Sequence, residues 1–162
     1  MDELVKKISS YHIFNYLIPG VIAAFLIDSL FEFSFKFVQD NLLVGFFFYY
    51  FLGSIISRVG SLISPCIDCI FRIKKIDYKD YIKAEKNDPK IEVLAEINNM
   101  YRSFYALFLI LNITNITYSF THEKINVLIT IFLVISFFIY AFSYKKQTGF
   151  IVGRVKNSIA SN

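Results

Sequence analysis

Histidine, cysteine, glycine and proline are all scarce in this chain, and each scarcity removes a kind of chemistry. The two histidines, His12 and His122, lie before the first apolar segment and after the third. They are placed at opposite membrane faces, and the apolar segments hold no acidic cluster, which argues against a membrane metallohydrolase. The two cysteines form a single Cys66-Ile-Asp-Cys69 pair. A zinc site needs two further ligands, and no second Cys or His pair supplies them. The pair therefore reads as two ordinary buried thiols, with metal, redox and acylation roles as the alternatives. Six glycines make no phosphate-binding loop, and no paired catalytic carboxylates appear. The expectation is a non-enzymatic protein with no cofactor and no metal. With three prolines there is no linker or repeat, so the 162 residues read as one domain.

Apolar residues are what the chain has in excess. They make up 56% of it, aromatics make up 19%, and the mean hydropathy is +0.52. A soluble chain of this length has too little interior to hide that surface, so lipid must cover part of it. The longest run begins at Leu42, and its first 16 residues carry no charge. Runs of this kind are transmembrane helix candidates. Four are found, at about 13–31, 42–63, 101–118 and 127–144, which defines an all-α integral membrane protein. Residues 2–12 read as a short helix lying on the membrane surface ahead of an uncleaved first span. Pro19 is expected to kink that span, and Gly20, Ala23 and Ala24 to admit a close neighbour.

Between spans two and three, residues 72–100 form the one sizeable polar segment. Asp77–Lys86 reads as helix, Asn87-Asp88-Pro89 as a break, and Asp88 as the cap of a second helix with Pro89 at its first position. Ile91, Leu94, Ile97 (or Asn98) and Tyr101 share one face of it, and it is expected to run unbroken into span three. In the tail, 145–162, Phe150, Ile151, Val155 and Ile159 face away from Arg154 and Lys156, which predicts a surface-lying helix.

The basic residues give the orientation. Thirteen lie before span one, between spans two and three, or after span four, and only Lys36 and Lys124 lie in the opposite loops. Both termini and the 72–100 segment are therefore expected in the cytoplasm. The bias toward Ile, Lys, Asn and Phe points to an AT-rich bacterial genome, hence a bacterial inner membrane.

Ionisable groups inside a bilayer cost about 2.5 to 3.5 kcal/mol each on insertion scales, so each needs a partner or a route to water. Asp28 lies roughly 22 Å from the inner edge of the membrane and Arg58 roughly 6 Å, too far apart to pair. Arg58 can snorkel to the inner headgroups, line a pore, or meet Asp68 or Glu96. Asn112 and Asn115, roughly 16 and 21 Å deep on span three, are level with Asp28. An Asp28–Asn115 hydrogen bond is therefore expected, with an ion-pathway carboxylate as the alternative. Gly53, Ser57, Gly60, Ser61 and Ser64 form a row of small residues for close helix packing, within the chain or with a second copy. Lys145, Lys146, Arg154 and Lys156 have no acidic neighbour in sequence and are candidates for lipid or ligand phosphates.

With its short-looped spans, polar mid-segment and the segments IFNYLIPG, EINNMYR and YKKQTGFI, the chain resembles the small multi-span membrane effectors of bacterial antiphage systems. Among them it is most similar to the Hailong-type transmembrane effectors. The resemblance implies an oligomeric channel gated by a cytosolic signal of nucleotide or oligonucleotide type, here short DNA oligomers, and assigns no role to any single residue. The competing expectation is a membrane anchor or accessory subunit that holds a cytosolic protein partner through the Ile91–Tyr101 helix.

Overall fold

Residues 12–122 and 126–160 are described by a computed structural model. The surface helix expected at 2–12, with Lys6 and Lys7, falls outside the described residues except for its last residue, and Lys124 falls outside them too. Among the described residues there are five helices and no strand. They are α1 (Ile13–Leu30), α2 (Leu42–Ile70), α3 (Tyr78–Asn87), α4 (Lys90–His122) and α5 (Val127–Ala160). All but α3 are long and apolar enough to cross a membrane.

Helix α1 opens with a π-helical turn, Ile13–Leu17. Pro19 has no N–H to donate, and its ring crowds the carbonyl four residues back. The wide turn places Pro19 at the start of the regular α-helix, where that defect is absorbed. Asn41 caps α2: its side-chain oxygen accepts from the backbone N–H groups of Leu43 (2.9 Å) and Val44 (3.1 Å). The helix passes through Pro65 without ending and stops at Ile70. Arg72 then takes a left-handed conformation with φ 52°. The Ile73 N–H reaches back to the Asp68 carbonyl at 2.8 Å, closing a Schellman-type turn at a position that usually favours glycine.

Helices α1 and α2 touch through their backbones. A Cβ on Gly20 would collide with the carbonyl of Tyr49, and one on Gly53 with the carbonyl of Tyr16. Gly60 faces the other way, where a Cβ would come within 2.9 Å of the Arg102 carbonyl on α4. The row of small residues is thus divided between two neighbours in the same chain. Helices α4 and α5 make the most extensive pairing. Tyr140 stacks on Phe104 (centroids 4.7 Å apart) and on Phe108 (5.5 Å), and the Tyr105 hydroxyl donates to the Gly60 carbonyl at 3.2 Å. Ala23, Ile56, Tyr105, Leu107, Leu111 and Leu133 lie in this shared core. Leu62, Phe120 and Leu128 are among the large apolar residues turned outward, as lipid-facing surfaces require.

At one end of the bundle α3, the start of α4 and the end of α5 form a separate cap. Its small core is Ala84, Ile91, Ile151 and Val155, with Ile76, Tyr81, Leu94 and Ala95 against it. Asp77 caps α3 through the Lys79 N–H at 2.8 Å. Asp88 caps α4 through the Lys90 N–H at 3.1 Å, and α4 then runs unbroken, as its sequence pattern requires. The tail departs from expectation. It is not a distinct surface-lying helix but the continuation of α5, which at 34 residues is roughly 51 Å long against a ~30 Å hydrocarbon core. Ile151 and Val155 are buried against Ala84 and Ile91, because the α3–α4 hairpin offers them a protein surface to pack on.

Candidate functional site

The most distinctive polar feature is a cleft of about 420 Å³ lined by Tyr16, Ser54, Ile55, Ser57, Arg58, Ser61 and Arg102. Gly53 and Gly60 bring α1 and α4 close on either side of this part of α2, which sets Tyr16 and Arg102 around the two turns of α2 that carry Ser54 to Ser61. Among the described residues the lining contains two guanidinium groups and no carboxylate. Arg58 is exposed to the cleft. The Nε of Arg102 is buried without a hydrogen-bond acceptor.

Asp68, one of the acids expected near Arg58, is engaged elsewhere. Two ion pairs form among the described residues, Asp68–Lys75 and Asp88–Arg154, each at 2.5 Å. Asp68 is therefore not the partner of Arg58. Lys75 also donates to the Ser64 hydroxyl at 3.1 Å, which lies 3.2 Å from the Tyr144 hydroxyl, and this joins the end of α2 to α5. Burial works against the Lys75 ammonium, but the bonds to Asp68 and Tyr144 more than offset it and hold its pKa above the usual value. Beyond Arg102 lies a second groove of about 460 Å³, bordered by Lys75, Tyr78, Tyr81, Asn98, Asn99 and Thr148 among others. Arg102 lines both spaces. Burial raises the Tyr81 phenol, and its bond to Glu85 (3.0 Å) raises it further, so it stays protonated.

The other sequence candidates are scattered. Asp28 does not meet Asn115. Its carboxylate accepts from the backbone N–H groups of Phe37 (2.9 Å) and Val38 (2.8 Å) and so organises the α1–α2 loop. That loop folds back over the end of α1 and brings its amides to the carboxylate. Asn115 donates to Thr130 at 2.9 Å, and Asn112 to the Phe108 carbonyl of its own helix at 2.7 Å. Ser64 belongs to the Lys75 network, whereas Ser57 and Ser61 line the cleft.

In the tail, Lys145, Lys146 and Lys156 are exposed, with Lys146 5.8 Å above the Phe150 ring. Arg154 does have an acidic neighbour, supplied by the α3–α4 turn: Asp88 holds it, and its own carboxyl is pulled below the usual range by that bond and by the Lys90 N–H. Cys66 and Cys69 are free and exposed rather than buried, because they occupy the outward face of α2. No group of three or more His, Cys, Asp or Glu side chains that could hold a metal occurs among the described residues.

Sequence reasoning singled out Arg58 but missed Arg102. The available signal was depth: Arg102 sits one residue inside span three, near the same edge as Arg58. These observations define a class, an all-α protein built on four helices long and apolar enough to span a membrane. Comparison with protein-family models, with curated proteins and with solved structures finds no match.

Proposed function

We propose that the chain is a non-enzymatic, multi-pass effector of the bacterial inner membrane that forms or gates an ion conductance in response to a cytosolic signal. In this reading both termini and the α3–α4–α5 cap are cytoplasmic, and the signal is of nucleotide or oligonucleotide type in antiphage defence. The observation that carries it is the cleft whose described lining has two guanidinium groups and no acid, set among helices long and apolar enough to cross a membrane and beside a helical cap. Cations in such segments are costly unless they serve a ligand, an ion or water. Four spans are too few to enclose a wide pore, so the conducting form is a homo-oligomer with copies around an axis.

The test is ion flux from liposomes carrying the purified chain, with and without short DNA oligomers. Ligand-dependent flux that falls in Arg58→Gln is expected, and no flux under any condition sinks the reading. A membrane anchor for a cytosolic protein is the second reading, favoured by Tyr78 and Val93, which are 76% and 54% exposed on the cap. It predicts no flux at all. Orientation is checked separately with a periplasmic reporter fused after Asn162, which should stay silent.

A further inference from the structure

We infer that the Arg58–Arg102 cleft is a binding site for a phosphate group, carried either by an anionic lipid of the inner leaflet or by a soluble phosphate compound. The inference rests on the membrane placement proposed above and is independent of conductance.

Charge balance is the first argument. Two cations that face the helical cap are matched within the chain: Lys75 has Asp68, and Arg154 has Asp88. Among the described residues the cleft is lined by two guanidiniums and no carboxylate, so their counter-charge is to be supplied by a ligand. The second argument is the donor set. Arg102 Nε is buried with no acceptor, and neither Ser57 nor Ser61 makes a hydrogen bond among the described residues. Fork-shaped N–H donors with hydroxyls beside them suit the tetrahedral, multi-acceptor phosphate, and guanidinium is the cation that recognises it in bidentate fashion. A phosphate presents several acceptor oxygens to these donors, where chloride or a single water presents fewer.

The third argument is position. Arg58 lies roughly 6 Å inside the inner edge of the hydrocarbon and Arg102 within roughly 3 Å of it, the level at which side chains reach lipid phosphates and a soluble phosphate can enter. About 420 Å³ is within the range of small-molecule sites. Arg102 also borders the second groove, with Lys75, Tyr78 and Tyr81, so a compound bound by its phosphate has room to extend toward the cap.

The experiment uses the full chain in nanodiscs and has two arms. In the lipid arm, native mass spectrometry counts phosphatidylglycerol retained from discs of phosphatidylcholine and phosphatidylglycerol. In the soluble arm, calorimetry measures binding of pyrophosphate and of a short DNA oligomer in discs of phosphatidylcholine alone. Wild type should bind in at least one arm, and the arm that responds identifies the source. Arg58→Gln with Arg102→Gln should weaken that binding by roughly tenfold to a hundredfold. Arg58→Lys and Arg102→Lys keep the charge and lose the fork, so each should weaken it less. These conservative variants carry the test if the double variant fails to fold. Lys36→Gln, in the α1–α2 loop and outside the cleft, should bind as wild type. Binding in neither arm overturns the inference, as does a loss in Lys36→Gln equal to that in the arginine variants, or full binding by both lysine variants and the glutamine pair. Binding that persists where flux never appears leaves the site standing and removes only the conductance reading.

Discussion

The α1–α2 seam and the α3–α4–α5 cap are held together by different physics. At the seam Gly20 and Gly53 let backbone lie on backbone, with Tyr16 and Tyr50 packed edge to face beside it (centroids 5.4 Å). Lipid tails are as apolar as leucine, so burying side chains there gains little, and close van der Waals contact decides the pairing. The cap is built like a small soluble protein. Ile91 and Val155 are fully buried, and Gln147 donates to the Leu94 carbonyl (3.1 Å) while Asn98 bonds Thr148 (3.2 Å). Apolar burial drives that assembly because the competing solvent is water.

The largest expected effect is in the cap. Ile91→Ala removes its central side chain and should cost about 2–5 kcal/mol, read as faster hydrogen exchange in α3 and the last turns of α5 with the spans unchanged. Exchange that rises equally throughout would make cap and bundle one unit and break the comparison. At the seam, Gly53→Ala forces two backbones apart and should cost about 1–3 kcal/mol or more. Its counterpart Gly149→Ala, where a Cβ meets nothing within 4 Å, should instead stabilise by about 0.5–1 kcal/mol. Thermal unfolding in detergent measures both, and the same sign for the two would show that contact at the seam is unimportant.

The smallest effect is electrostatic. Asp88 has a lowered pKa in the folded state, so its bridge to Arg154 stabilises the cap above the ordinary carboxylate value of about 3.9. That contribution is lost as pH falls through the lowered value. Exchange in the α5 tail should therefore rise in acid, and Arg154→Gln should show the faster rate already at neutral pH.

The parts of this architecture legible in sequence are those set by local pattern. Uninterrupted apolar runs mark the four long helices, Asp88-Pro89 marks the start of α4, and Pro19 marks the disturbed turn in α1. Less legible was anything decided by a partner far along the chain. The face opposite Arg154 has the period of a surface helix, and only the arrival of the α3–α4 hairpin turns Ile151 and Val155 inward. Asp28 matched Asn115 in depth, yet loop amides nine and ten residues away claimed it first. Arg102 drew no reading from the sequence, because its place in the cleft depends on α2 lying beside it.

By itself, then, the sequence determined the helices and their fitness for lipid, because helix formation and hydropathy depend on residues within a few turns of each other. Only the tertiary structure decided which charges are satisfied. An ion pair depends on which helix lies alongside, and here, among the described residues, Lys75 and Arg154 meet acids whereas Arg58 and Arg102 do not.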